Sequence, residues 1–535
     1  MRGGGAARRE VGDLNVQIRD VSEGSVLVEF PDVPDSDANS AAIAIASRLS
    51  AKRTRGLLDA IPGARTLFVV FDPRAIDRAA LGRRVRRAAE EPAAAAEESR
   101  LFRIPVVYGG DSGPDLESLA RDRAMSAEEV ARRHESAEYR VAFLGFSPGF
   151  AYLTGLPPEL AAPRRDSPRP RVAAGSVAIG GEYSAVYPAE SPGGWRLIGR
   201  SPVRLFDAAA SPPALLRPGD RVRFERIDEE ELGRRLASSA LAPPPQVAEG
   251  TPVLAVIGAG LFSSVQGEAR YGLGACGVPS GGAMDLEALR RGNAMVGNPP
   301  EAGALEVTLS GPELRALDDA VACVTGGDLQ ARWNGKLVER DRPFEAKAGD
   351  HIAFGYAKSG ARAYLCVQGG LVARRPGEVV RRLARGDSVS RGRLRAKGPD
   401  RERPRPGETA DGAPRTLSVL EGPQSAFFPP AAAEVFYSAT YRVTPESDRR
   451  GIRLDGPPIE LRRATDIPPE GTALGGIQVP ASGLPIVLGP DRPVTGGYAK
   501  IATVIARDWP LLAQAPPGTA IRFRQVTLAE AVDQL

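Results

Sequence analysis

The stretch that decides the fold covers residues 134–207. It opens HESAEYRVAFLGFSPGFAYL (134–153) and continues GSVAIGGEYSAVYPAESPGGWRLIGRSPVRLFD (175–207). The hydrophobic runs at 139–146 and 176–179 have strand length, and each passes into a loop of Gly, Pro, Ser and aromatic residues. Such loops carry function more often than packing. Here they are dense enough to mark a small-molecule site on a β-scaffold.

Upstream of this stretch, 25–30 (SVLVEF) and 67–71 (LFVVF) read as strands. A helix is expected near 39–60 between them, and another at 74–91, where apolar residues recur at helical spacing. This order predicts a small α/β domain over 1–98. From 102 the pattern changes to a strand (IPVVYGG), one or two short helices over 115–134, then short strands and Gly/Pro turns up to 225. That is the pattern of a β-barrel or sandwich, expected over 99–236. The triple proline in SSALAPPPQVAEGT reads as a linker, set at 237–251.

Beyond the linker, 252–535 is mostly β. Strands are expected at 252–257, 320–324, 351–354, 363–368, 416–420, 441–443, 486–488 and 520–524. One helix is expected over 285–296, with Asp285 as its N-cap. A polar, Pro/Gly-rich stretch at 397–415 interrupts this half. Both halves close on a related signal, RPGDRVRFERI (217–227) and PPGTAIRFRQV (516–526), which suggests repeated barrel-like units. The fold class is mainly β with α+β elements, behind the small N-terminal α/β domain.

At 535 residues the chain is too long for one core. With 42% hydrophobic and 25% charged residues it has the composition of a soluble globular protein. The net charge is +4, and much of the excess is arginine spread over helix faces (Arg83, Arg84, Arg86, Arg87) and loops. No RNA-binding aromatic motif or zinc finger accompanies it, which argues against a nucleic-acid partner. Cys276, Cys323 and Cys366 are widely spaced and imply no disulfide framework, as in a reducing cytoplasm. The opening MRGGGAARRE has no apolar segment behind it, and no run approaches 18 apolar residues. Neither a signal peptide nor a membrane span is expected.

Two motifs fail on their chemistry. Gly145-Phe-Ser147-Pro-Gly149 matches the G-x-S-x-G elbow, but the residue after that serine must give its N–H to an oxyanion, and Pro148 has none. Gly272-Leu-Gly274-Ala-Cys-Gly277 matches G-x-G-x-x-G without the flanking strand and helix, so a turn is expected. No P-loop sequence occurs. With two histidines, His134 and His351, and no paired cysteines, no His/Cys metal cluster is expected. Carboxylates alone leave no signature, so an oxygen-ligand site for Mg2+ stays open.

Residues 20–235 resemble the prokaryotic 5-oxoprolinase B-subunit. The resemblance covers YGGDSGPDLESLA (108–120) and the two stretches quoted above. Residues 255–530 resemble the C-subunit, through GVPSGGAMD (277–285), Asn293, VGNP (296–299), ALEVTL (304–309), Ser447-Asp-Arg449, GIQVP (476–480) and TGGYAKIAT (495–503). The same family carries the names allophanate hydrolase subunits 1 and 2 and the Kip-type kinase inhibitor and antagonist, and it is similar to the carboxyltransferase region of urea carboxylase.

The resemblance implies cyclophilin-like β-barrels in both halves, two in the second. It implies a small-molecule substrate, ATP with or without Mg2+, and a separate 5-oxoprolinase A-subunit that shares the ring opening of 5-oxoproline to glutamate. It leaves a homo-oligomer open. A lactam carbonyl is a poor electrophile, and phosphorylating its oxygen creates a leaving group that water can displace; such a site needs cations and oriented donors.

The candidates to supply them are Lys500 as a phosphate or carboxylate ligand, Gly496 and Gly497 for close backbone approach, and Tyr498 beside them. Arg449 and Arg453 are candidates for bidentate carboxylate contacts, and Gln478 and Asn293 are neutral donors. In the first half His134 is the candidate general base, with Tyr152, Ser191 and Trp195 lining the site. Two departures from the family pattern stand out. Gly267 occupies an Asp position, with Glu268 next to it, and a shorter basic segment follows Gly370 where a Gly/Ser-rich loop is usual. Two alternatives follow: a non-catalytic Kip-type regulator of a histidine kinase, and a carboxyltransferase component served by biotin on a partner.

Overall fold

The computed structural model describes residues 15–52, 54–91, 99–240, 250–372, 382–392, 413–462 and 466–535. Most of the proline-rich linker, much of the basic segment after Gly370 and most of the stretch at 397–415 lie outside the described residues.

The N-terminal unit is a four-stranded antiparallel sheet ordered Gln17–Ser22, Ser25–Glu29, Thr66–Phe71, Leu57–Pro62, with the helices Asp35–Ala51 and Arg78–Glu90. The expected helix over 39–60 is corrected. It stops at Ala51, Gly56 takes a left-handed φ of 86°, and Leu57–Pro62 becomes an edge strand. Alternation sets the two sheet faces. Val26, Val28, Leu67 and Val69 pack with the helix residues Ala42, Ile45, Leu81 and Val85. Val21, Leu27, Ile61 and Phe68 pack instead against Ala473 and Val494, from the far end of the chain.

Two closed seven-stranded barrels follow, one in each half. The first uses Leu101–Tyr108, Tyr139–Leu144, Ala151–Thr154, Ser176–Gly180, Tyr183–Val186, Arg196–Arg200 and Arg221–Arg226. The second uses Arg415–Glu421, Tyr441–Val443, Gly451–Asp455, Gly476–Gln478, Ile486–Leu488, Lys500–Val504 and Ala520–Gln525. Counting strands in chain order, both rings read 1-6-4-5-3-2-7. In both, the first and last strands pair in parallel. Each barrel also carries a two-stranded ribbon from the same two crossovers: Arg169–Val172 with Ser191–Gly193, and Asp466–Gly471 with Thr495–Tyr498. The matching PGD and PGT turns enter the last strand through Gly219 and Gly518, both at positive φ. Between the barrels in sequence, Thr251–Arg391 forms a six-stranded and a five-stranded sheet around a shared core, with the helix Leu286–Met295 against them. Asp285 caps that helix by accepting from the Ala288 N–H at 3.0 Å.

The halves interlock. The Gly149 N–H donates to the Cys276 carbonyl at 2.9 Å, and the Ala64 N–H to the Pro469 carbonyl at 2.7 Å. Asn39 ties the turn at Gly63 to the Ala142 carbonyl of the first barrel. A Cβ on Gly145 would lie 1.6 Å from Thr495 Oγ1, so this glycine is what lets the two barrels meet. Gly145→Ala is therefore expected to cost about 1–3 kcal/mol through overpacking. Calorimetry should show a lowered Tm, partly recovered by Thr495→Gly in the same chain. An unchanged Tm in the single variant would contradict the contact.

Candidate functional site

The strand Lys500–Val504 alternates. Ile501 turns into the barrel core while Lys500 turns outward, beneath the ribbon of Asp466–Gly471 and Thr495–Tyr498. The ribbon leaves Lys500 only 1% exposed. A buried ammonium needs a partner, and Glu470 Oε1 lies 2.8 Å from its Nζ. Gln424 Nε2 donates to the same carboxylate oxygen at 2.8 Å, and its Oε1 accepts the Lys500 backbone N–H at 3.2 Å. Gln478 pairs with Lys500 across the strands and is buried, yet its amide makes no hydrogen bond to another described residue. Gly496 leaves room for that amide, since a Cβ there would lie 2.8 Å from Gln478 Nε2. Thr495 Oγ1 is likewise buried without a partner among the described residues. A fixed cation beside an amide and a hydroxyl with unused capacity can receive a carbonyl or carboxylate.

The first barrel carries a counterpart with different chemistry. Asp115 follows a Gly-Pro as Gln424 does, and it accepts the Leu197 N–H at 2.8 Å as Gln424 accepts that of Lys500. Arg169 of the first ribbon pairs with Asp115, where Glu470 of the second meets Gln424. The position of Lys500 is thus Leu197, with no charge. Ser191, which opens the second ribbon strand as Thr495 does, also buries a hydroxyl with no partner among the described residues. Tyr152 and Trp195 belong to a closed aromatic cluster with Phe143, Phe150 and Tyr187, ring centroids 4.4–5.5 Å apart for the pairs Phe143–Tyr152, Phe150–Tyr152, Phe150–Tyr187, Phe150–Trp195 and Tyr152–Trp195. They form packing beneath the junction rather than an open wall.

Several expected ligands are corrected. His134 is fully buried in the first barrel's core, between Tyr108 OH at 2.9 Å and Ser184 Oγ at 2.8 Å. Both ring nitrogens are engaged within the barrel core, which gives the ring a packing role there. Asn293 spends its amide on the Ala302 carbonyl and on Asn298. Arg449 clamps Glu306 at 2.6 Å, Asp491 at 2.7 Å and the Gly282 carbonyl at 2.6 Å. Arg453 faces solvent on the strand Gly451–Asp455, outside the Lys500 network. A Cβ on Gly267 would lie 3.3 Å from the Glu301 carbonyl oxygen, a tight approach, and Glu268 does not replace the missing carboxylate because it pairs with Arg290. The Gly-rich turn at 272–277 binds an internal anion, as Asp59 accepts the N–H groups of Gly272 and Gly274 at 3.1 and 2.9 Å.

Burial pulls the His134 ring from 6.5 down to about 3. A base whose folded pKa is depressed stabilises the fold above its unfolded pKa. That contribution is therefore present above pH 6.5 and is lost as pH falls toward about 3. The slope is at most about 1.4 kcal/mol per pH unit. Denaturant unfolding at pH 7, 6 and 5 should show the gap between the parent and His134→Gln narrowing as pH falls. A constant gap would contradict a buried neutral ring.

Sequence reasoning missed Gln424, Glu470 and Thr495. The repeated Gly-Pro-Asp (113–115) and Gly-Pro-Gln (422–424) held the signal for Gln424.

The two seven-stranded barrels share one strand order and meet where Thr495 packs on Gly145. Residues 16–216 match the family model "Carboxyltransferase domain, subdomain C and D", and 276–525 match "Carboxyltransferase domain, subdomain A and B". The chain is 39% identical over 231 residues to the 5-oxoprolinase B-subunit of Bacillus subtilis, covering 41% of this chain and 95% of that protein. It is 33% identical over 289 residues to the 5-oxoprolinase C-subunit of Escherichia coli, covering 52% of this chain and 93% of that protein. The crystal structure of TTHA0988 superposes with a TM-score of 0.80 at 35% identity, covering 95% of this chain and all of that one. The chain belongs to the family of 5-oxoprolinase B- and C-subunits, with the two fused and each built on a cyclophilin-like barrel.

Proposed function

We propose that the chain is cytoplasmic and is the fused B and C component of an ATP-dependent amidohydrolase that opens 5-oxoproline to glutamate with a separate A-subunit. The observation that carries this reading is the buried Lys500–Glu470–Gln424 network facing the unpartnered amide of Gln478. In this reading Lys500 and Gln478 orient the lactam carbonyl and Glu470 holds the ammonium in place. Thr495 and the backbone of Gly496 and Gly497 border the ring, with Tyr498 at the exposed edge.

ATP supplies the phosphoryl group that activates the carbonyl oxygen. The donor set does not fit a triphosphate: one cation is already neutralised by Glu470, and the described residues hold no group of three or more metal-ligating side chains. Nucleotide chemistry is accordingly placed with the A-subunit. The test is to mix the purified chain with that partner, 5-oxoproline and ATP and to measure glutamate and ADP. Stoichiometric formation of both is expected. Neither product appearing with a matched partner would overturn the reading. Carboxyl transfer is the second reading, favoured by the family models' description; biotin-dependent uptake of labelled bicarbonate into substrate would select it.

A further inference from the structure

Arg492 is a buried cation without a counter-ion. It is 8% exposed and makes no ion pair with another described residue. Its Nε donates to the Thr472 carbonyl at 3.0 Å, while Nη1 reaches Ser280 Oγ and the Gly489 carbonyl only at 3.4 Å. Nη2 has no acceptor among the described residues. All three contacts are to neutral oxygens, and burial pulls the guanidinium down to about 10. A charge taken out of water needs an anion beside it. The two nearby carboxylates are committed elsewhere. Asp491 serves Arg449 at 2.7 and 3.0 Å, and Asp59 serves the Gly272 and Gly274 N–H groups.

Two hydroxyls are brought to the same place. The Arg270 N–H donates to the Ser280 carbonyl at 2.8 Å, which closes the loop between Tyr271 and Ser280. The Gly281 N–H donates to the Pro490 carbonyl at 3.2 Å, which fastens that loop to the segment carrying Arg492. The Tyr271 ring is 41% exposed, but burial pushes its hydroxyl up and Arg492 is the first neighbour that draws it back down. That hydroxyl has no partner among the described residues. Ser280 Oγ accepts from Arg492 and keeps its own O–H to donate.

We infer that Arg492, Tyr271 and Ser280 form a binding site for the carboxylate group of a small molecule. A cation and two hydroxyl donors match one carboxylate. Asp59 and Asp491 lie close enough to act on Arg492, so a second negative charge is repelled and a phosphate dianion is disfavoured. The site differs from that of Lys500, whose ammonium already holds Glu470 beneath the ribbon. A bound carboxylate would tie the Tyr271–Ser280 loop, and the N-terminal sheet that grips it through Asp59, to the base of the second ribbon. Occupancy therefore stabilises the joined units by linkage. The inference does not depend on the proposed reaction.

Thermal unfolding of the full chain at pH 8 with acetate, acetamide and inorganic phosphate tests it. Acetate should raise Tm, acetamide, its neutral counterpart, should not, and phosphate should act more weakly than acetate. In calorimetric titration with acetate, Arg492→Met and Tyr271→Phe should each weaken binding at least about tenfold, the loss of one charge-assisted hydrogen bond. Tyr271→Phe removes only a hydroxyl from a half-exposed ring and so tests the site in a folded chain. Arg492→Lys keeps the charge and should keep part of the acetate response, and Lys500→Met should keep all of it. No acetate effect at tens of millimolar, equal effects of acetate and acetamide, a larger effect of phosphate, or acetate binding unchanged in both Arg492→Met and Tyr271→Phe would overturn the inference. So would acetate binding that disappears only in Lys500→Met.

Discussion

Lys500→Met is expected to lower kcat/KM for 5-oxoproline by at least about 100-fold if the chain performs the proposed reaction with an A-subunit. Removing one preorganised electrostatic contact to a developing oxyanion costs about 10²–10³ in rate. The substitution also strands Glu470, a carboxylate 7% exposed, without its cation. Breaking one side of a buried pair costs about 3–5 kcal/mol, so lost activity alone would not separate chemistry from folding. Lys500→Met/Glu470→Gln separates them. The neutral amide keeps a partner in Gln424, so the double variant should recover most of the thermal stability and none of the turnover. Recovery of turnover with stability would remove Lys500 from the reaction.

Arg449→Met is expected to produce the largest loss of stability, also about 3–5 kcal/mol. Glu306 is completely buried, and burial pushes its carboxyl up; Arg449, Arg362, the Met284 N–H and the Tyr364 hydroxyl together outweigh this and hold it below its ordinary value. A carboxyl with a depressed folded pKa stabilises the protein above its unfolded pKa and loses that contribution as pH falls through the folded value. Without Arg449 the balance reverses. Glu306 would titrate above its unfolded pKa, so the variant's deficit should be full at pH 7 and shrink as pH falls toward 5. Urea denaturation at both pH values measures this, and a deficit that grows on acidification would contradict the clamp. The clamp joins the two-sheet unit, through Glu306 and Gly282, to the second barrel, through Asp491. The effect should therefore appear as lost cooperativity between these units.

The barrels were legible because their strands are short, apolar and separated by Gly/Pro turns, and because the final turn and strand recur in both halves. The edge strand Leu57–Pro62 was not legible. LLDAIP has no alternation of its own, and Ile61 becomes buried only against the second half. Lys500 stands out in the sequence on the TGGYAKIAT segment, and the structure places it in a buried ion pair with Glu470. Its partners were not legible, because Gln424 and Glu470 lie 46 residues apart and meet only when the ribbon folds over the barrel. His134 and Arg449 misled for a shared reason. A side chain capable of chemistry reads the same in sequence whether it faces a substrate or the core, and here Tyr108 and Ser184 occupy one and Glu306 and Asp491 the other.

The second face of the N-terminal sheet bears on how the protein is made. Leu27, Ile61 and Phe68 emerge first from the ribosome, but Ala473 and Val494, which cover them, are about 400 residues further on. At ~5–20 residues per second, that apolar face waits roughly 20–80 s for its cover. A lone chain equivalent to the first half would meet the same exposure until a separate partner arrived. Fusion replaces that search with a fixed delay.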